Sequence, residues 1–234
     1  MEDLYSLIEI AESNEDYRTI LEILRWYEGF SCPRCSCTEA YRIKTRSLFE
    51  CKNCRMQVSA TSGTFLHGVR NLRDWVKAIL LFANSEGQSA VSVARLFNRG
   101  YSTAWFMMQK IRMVLENGFE ESGEAYFLPC SMLKEALFKA SSEDKHFELD
   151  EAESCSEPVL SGRAAVLVAF LLGTFRGVSR KYSQLYALEF AYRSLADSAE
   201  PIRLLSMFVR GRISRRKTIT SYVAPYLIRL PSAL

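Results

Sequence analysis

At 234 residues the chain is long enough to bury a core and to hold either one large domain or two to three small ones. Its composition, 48% hydrophobic and 24% charged, is that of a soluble globular protein, and its longest apolar run, Ala164 to Leu172, is about half of the roughly 20 residues a membrane helix needs, which excludes a helical membrane span. The net charge of +3 conceals a polarity: Glu116 to Glu157 carries twelve acidic residues against three basic, whereas Pro201 to Leu234 carries seven basic and none acidic, which suits either a polyanionic partner or a solvated face without one.

The first thirty residues read as helical. Leu4, Leu7 and Ile8 repeat at helical spacing, as do Tyr17, Ile20, Leu21 and Leu24 after Asn14, which is the expected N-cap. Gly29 ends this segment. Its expected task is to pack beside the next one, which has too few residues for a core of its own.

Cys32-Pro33-Arg34-Cys35 and, after fifteen intervening residues, Cys51-Lys52-Asn53-Cys54 form two paired-cysteine knuckles. Zn²⁺ prefers four soft ligands in a tetrahedron, and each Cys-x-x-Cys turn delivers two thiolates from one loop, so the pattern reads as a zinc site. The spacer fits one hairpin, with strands at Tyr41–Lys44 and Leu48–Cys51 around Thr45-Arg46-Ser47. Disulfides and inert buried thiols are the alternatives. The opening Met1-Glu2-Asp3 shows no basic, apolar export segment and seven cysteines is an odd number, both of which point to a reducing cytoplasm. Cys37 competes with Cys35 as a ligand, but Cys-x-Cys chelates less well than Cys-x-x-Cys. Cys130 and Cys155 stand alone and read as small core residues.

A third short strand begins at Gln57 and runs into a turn ending at His67, which the four cysteines leave without a place in the tetrahedron. Three helices follow. Leu72, Trp75, Val76, Ile79 and Leu80 form the stripe of one that ends at Asn84–Gly87. Ser89–Phe97 places Val93, Leu96 and Phe97 on one side of a shorter one, and Asn98-Arg99-Gly100 turns the chain into a third, from Ser102 to about Leu115. In the third, Ala104, Met108, Ile111 and Leu115 face inward and Thr103, Gln109, Lys110 and Arg112 outward. Such a succession matches a helix-turn-helix, although any small helical bundle shows similar features. In that unit Thr103 and Gln109 read base edges, Lys110 and Arg112 hold phosphates, and Ser102 caps the helix while donating to a phosphate.

Arg25-Trp26-Tyr27-Glu28-Gly29-Phe30 leading into the first knuckle, Phe49-Glu50-Cys51-Lys52-Asn53-Cys54-Arg55, Thr61-Ser62-Gly63-Thr64-Phe65-Leu66-His67, and Trp75 with Ala104-Trp105 through Ile111-Arg112 together resemble the insertion-sequence transposases that carry an N-terminal zinc ribbon, the ISXO-like DDE group. The resemblance covers about residues 15 to 115. It implies a ribbon and helix-turn-helix that bind transposon ends, ahead of a ribonuclease-H-like domain whose acidic triad holds two Mg²⁺ ions for strand transfer. Ser36 stands where such knuckles often have glycine; serine there strains the turn slightly without removing a ligand.

The second half resembles that family only in fragments. Phe147-Glu148-Leu149-Asp150-Glu151 is similar to the strand bearing its first catalytic aspartate, which would be Asp150. Gly173–Tyr182 and Tyr186–Arg193 are similar to its closing segment, where Glu189 matches a scaffold position. About twenty residues separate the fragments, and Ser154–Leu172 contains no Asp, so the rest of the sheet and triad is not expected. Glu143, Asp144, Glu151 and Glu153 read as solvated loop residues and His146 as a surface residue. A helix is expected at Cys130–Lys139 with Met132, Leu133, Ala136 and Leu137 apolar, and helices at Tyr182–Arg193 and Ile202–Val209 flank a break at Ser198–Pro201. Ala164–Leu172 is a buried strand or helix, between which periodicity does not decide.

These readings converge on a mostly helical protein with a small β zinc ribbon, a helix-turn-helix after it, and a reduced helical C-terminal half. The segments are N-terminal helices at 1–28, a zinc ribbon at 29–66, a helix-turn-helix at 70–116 and a transposase-like region at 117–234. The expected function is DNA binding without strand transfer. An active transposase with a rearranged metal site, and a zinc-ribbon protein adaptor, are the alternatives. Structural Zn²⁺ on Cys32, Cys35, Cys51 and Cys54 is the expected cofactor, with Mg²⁺ only for the active enzyme. DNA is the expected partner in the cytoplasm or at the nucleoid, and self-association stays open.

Overall fold

The computed structural model describes residues 7, 8, 10–83, 87–119, 125–138, 158–196, 206, 208, 209 and 216–231. It divides into two compact units, Met1–Leu80 with Glu200–Ile213, and Leu81–Ala199 with Ser214–Leu234. Asp150 and the strand expected around it, Glu143, Asp144, His146, Glu151, Glu153, Cys155, Leu4 and the break expected at Ser198–Pro201 lie outside the described residues.

In the first unit, α1 spans Asn14–Arg25 and begins with a capping box: the Ser13 hydroxyl accepts the Asp16 N–H at 3.2 Å and the Asp16 carboxylate accepts the Ser13 N–H at 2.8 Å. The cap is therefore Ser13 rather than Asn14, because serine with an acidic residue three positions on satisfies two orphan amides at once. Asn14 instead accepts the Leu72 N–H at 2.9 Å and so caps a different helix, α2 at Leu72–Ala83. Tyr17, Ile20, Leu21 and Leu24 of α1 are buried, as the periodicity predicts. Beyond α1 the chain turns at Gly29, whose φ of 103° favours glycine.

The ribbon is a three-stranded antiparallel sheet in the order β1 (Ala40–Ile43), β2 (Leu48–Cys51), β3 (Gln57–Val58). Ala40 pairs with Cys51 and Ile43 with Leu48, and a 3₁₀ turn at Lys44–Arg46 closes the hairpin. Helix α1 lies against this sheet. Arg25 donates to the Ser59 and Ala60 carbonyls at 2.8 and 2.9 Å, and Trp26 meets Phe49 edge-on with centroids 4.6 Å apart, next to Phe30. The small ribbon sheet thus gains its apolar neighbours from the segment that leads out of the preceding helix.

In the second unit, α3 (Ala90–Leu96) is capped by Ser89, and α4 (Tyr101–Phe119) follows the turn through Asn98. Val93 is buried, but Leu96 is 62% exposed, a correction to its expected inward face. Strand β4 (Ala125–Pro129) pairs antiparallel with β5 (Leu227–Pro231). The expected helix after Cys130 is a tighter 3₁₀ segment, Cys130–Ala136, with Cys130, Leu133 and Ala136 buried at the three-residue period of that helix. The undecided stretch Ala164–Leu172 lies within helix α5, Pro158–Phe175. Helix α6 (Ser183–Ala196) follows a 3₁₀ turn at Arg180–Tyr182, and a short helix α7 occupies Arg216–Thr220. Leu128, Leu133, Leu167, Leu171, Ile228 and Leu230 are central to the core these elements share.

Helix α4 carries the main correction. Ala104, Met108, Ile111 and Leu115 are buried as expected, but so are Gln109, Lys110 and Arg112. The helix packs against both α3 and α6, so from Ala104 to Leu115 no side chain is fully exposed.

Candidate functional site

The two knuckles repeat one backbone pattern. In the first, the Ser36 N–H donates to the Cys32 carbonyl at 2.9 Å and the Cys32 N–H to the Cys37 carbonyl at 3.0 Å. In the second, Arg55 N–H to Cys51 carbonyl and Cys51 N–H to Met56 carbonyl are both 3.0 Å. The residue after the second cysteine is left-handed in each, Ser36 with φ 58° and Arg55 with φ 57°. The strain expected at Ser36 is therefore present at both knuckles, since a Cβ disfavours that region.

This geometry brings four thiols together. The sulfurs of Cys32, Cys35, Cys51 and Cys54 all lie within 4.8 Å of one another, with Cys32 to Cys54 at 3.5 Å and Cys35 to Cys51 at 3.6 Å. A tetrahedron with Zn–S bonds of about 2.3 Å places sulfurs about 3.8 Å apart, so the donor set fits the ion in kind and spacing. The thiolate is the ligand form, and the knuckle amides favour it at Cys32 and Cys51, whereas at Cys54, against the Met56 N–H, desolvation and the three neighbouring thiols push the group up to about 12. The Cys54 N–H, then that of Asn53, holds the Cys51 thiol down at about 6 against the desolvation that opposes it. Desolvation pushes Cys32 upward, but the N–H groups of Arg34 and Cys35 and the thiols of Cys54 and Cys35 together outweigh it and leave that thiol below its ordinary value. Cys37 stays outside the cluster with its thiol 3.7 Å from the Glu39 carbonyl, and His67 is exposed. Among the described residues no other group of three or more His, Cys, Asp or Glu side chains converges as a metal site would require.

The predicted DNA-facing residues separate into two sets. Ser102 and Thr103 are exposed at the start of α4. Arg112 instead donates from Nε to Glu189 Oε2 at 2.6 Å, and its guanidinium lies 4.1 Å from the Tyr186 ring centroid. Gln109 donates to the Tyr186 hydroxyl at 3.2 Å, and burial draws the Lys110 ammonium below its ordinary range. Glu189 is fully buried between Arg112 and Arg193, whose Nη2 is 2.7 Å from Oε1, so both its oxygens are engaged by guanidinium groups, in keeping with a scaffold position.

Sequence reasoning placed the hairpin turn without singling out its cations. Lys44, Thr45 and Arg46 are exposed there, and the two cations have no ion pair among the described residues, unlike Arg42, Lys52 and Arg55, which pair with Glu22, Glu39 and Glu50. Two cations around a polar residue at a hairpin turn are visible in the sequence, although their lack of an ion pair among the described residues is not.

Two cysteine knuckles on a three-stranded antiparallel sheet define a zinc ribbon, and the four-cysteine cluster is consistent with structural zinc. Residues 12–57 match the family model of the transposase zinc-ribbon domain, a span that takes in α1 as well as both knuckles. No curated protein and no solved structure matches the chain. No helix among the described residues is long and apolar enough to cross a membrane.

Proposed function

We propose that this chain is a DNA-binding protein related to insertion-sequence transposases, with a zinc ribbon and a helix-turn-helix and without strand-transfer activity. The observation that carries the reading is the transposase zinc-ribbon match over residues 12–57, together with the four-cysteine cluster inside it. Within the ribbon, Lys44 and Arg46 are the cations suited to phosphates. Helices α3 and α4 supply the helix-turn-helix, with Ser102 and Thr103 entering the groove and Arg95 and Arg99, both exposed, holding the backbone beside them. Gln109, Lys110 and Arg112 support the fold of this unit.

The absence of strand transfer rests on the sequence. Two-metal chemistry needs several carboxylates converging on ions about 3.5–4 Å apart, and only Asp150 has a family counterpart. Mg²⁺ has a place only in the alternative reading.

Selection from random duplex DNA with the zinc-loaded protein tests the proposal, and an enriched motif bound with steep salt dependence is the expected result. Absence of salt-dependent DNA binding would favour a protein adaptor instead. Nicking of supercoiled DNA that needs Mg²⁺ and disappears in Asp150→Ala would establish an active transposase.

A further inference from the structure

An open cavity of about 390 Å³ lies at the first turns of α4, lined by Tyr101, Ser102, Trp105, Phe106 and Thr220. Its wall is held by packing. Trp105 meets Tyr182 edge-on with centroids 5.4 Å apart, and Tyr182 stacks on Tyr222 at 6.2 Å with 11° between their planes. Trp105 and Phe106 also pack on the buried cluster of Met113, Leu185 and Ile219. Tyr101 is 56% exposed at the rim.

The polar groups around this wall are of both kinds, and the Tyr222 hydroxyl donates to the Glu116 carboxylate at 2.6 Å. Ser102 and Thr220 contribute hydroxyls, and among the described residues no carboxylate lines the cavity itself. The Lys181 ammonium donates to the Thr220 carbonyl at 2.5 Å and lies 5.5 Å from the Tyr182 ring, so a positive charge sits beside the aromatic surface. Aromatic side chains, hydroxyls and a neighbouring ammonium suit a planar heterocycle attached to a phosphate.

We propose that this cavity takes one unpaired nucleobase of bound DNA, stacked against the aromatic wall with its phosphate toward Lys181. The inference rests on the DNA-binding reading and adds to it a preference for DNA with an unstacked base. A base inside an intact duplex has both faces covered by its neighbours, so the cavity distinguishes distorted from regular DNA without reading sequence.

The test titrates the full-length zinc-loaded protein with a fluorescein-labelled mixed-sequence duplex and with the same duplex carrying one unpaired adenine. The bulged duplex is expected to bind about tenfold more tightly, the range that base stacking on an aromatic side chain supplies. Replacing the adenine by 2-aminopurine reports its stacking as fluorescence quenching. Tyr101→Ala, at an exposed rim position, and Thr220→Phe, which fills the cavity, are both expected to abolish the preference and the quenching while leaving affinity for the paired duplex unchanged. Equal affinity for the two duplexes, or a preference that survives both substitutions, overturns this inference and leaves DNA binding standing. Binding to neither duplex overturns the DNA reading and this inference with it.

Discussion

Arg112 and Glu189, 77 positions apart in the chain, form an ion pair of 2.6 Å inside the second unit, with both residues almost fully buried. Glu189 also faces Arg193. Removing the carboxylate leaves two buried guanidinium groups without it, whereas removing Arg112 leaves Glu189 with one partner. Glu189→Ala is therefore expected to cost about 3–5 kcal/mol and Arg112→Ala less, as measured by urea unfolding of the zinc-loaded protein. The reverse order would show that packing of Arg112 on Tyr186 outweighs the charge pair.

Metal removal is expected to unfold the ribbon. Structural zinc sites of this kind contribute on the order of 10 kcal/mol of apparent folding free energy, far more than a small sheet and one helix face supply. Elemental analysis should find one zinc per chain, Cys51→Ser should lose it, and Cys37→Ser should keep it. A metal-free protein that retains protease resistance across residues 29–66 would refute the assignment.

At Ser36 the backbone φ of 58° puts an L side chain in the left-handed region. Ser36→Gly is expected to stabilise the zinc-loaded protein by up to about 1 kcal/mol, and Ser36→Val to destabilise it, because a β-branched side chain tolerates that conformation least. Thermal unfolding with zinc held in excess would reveal the sign of each change.

Asn14 sits at the first position of α1 yet caps α2. Asn14→Ala should cost about 1 kcal/mol through the lost Leu72 contact, similar to Ser13→Ala at the true cap of α1. The N–H and hydroxyl of Ser13, then the N–H of Glu12, hold the Asp16 carboxyl below its usual value. Its contribution is therefore complete above the unfolded value of about 3.9 and is lost as pH falls through the lower folded value. Asp16→Asn should flatten this part of the acid unfolding profile.

For DNA, Lys44→Ala should weaken binding to all sequences alike and make the log–log salt slope shallower by about 0.9. Gln109→Ala should change stability and leave sequence preference intact, since its amide bonds Tyr186 inside the unit. A specificity change in Gln109→Ala measured by binding selection would return that residue to the DNA interface.

The ribbon was legible because its determinants are local: cysteine spacing, a hairpin between the knuckles and a short amphipathic helix before them. Helix α4 was misread for a nonlocal reason. Assigning Lys110 and Arg112 to a wet face presumes that an amphipathic helix has one, and the residue that buries Arg112 lies 77 positions downstream. Helix α5 was ambiguous because Ala164–Leu172 is apolar all round, so neither period stands out. The cavity residues Tyr101 and Trp105 were visible, but their meeting with Thr220 depends on the fold of the far end of the sequence.

Strand β4 has a partner about a hundred residues later. During synthesis at about 5–20 residues per second, on the order of 5–20 s separate the emergence of Pro129 from that of Leu227. Throughout that interval β4 lacks β5, and the buried Leu128 has neither Ile228 nor Leu230 beside it. Messages truncated before residue 227 would therefore yield chains whose ribbon can bind metal but whose second unit presents an open strand edge, a product suited to aggregation and to clearance by proteases.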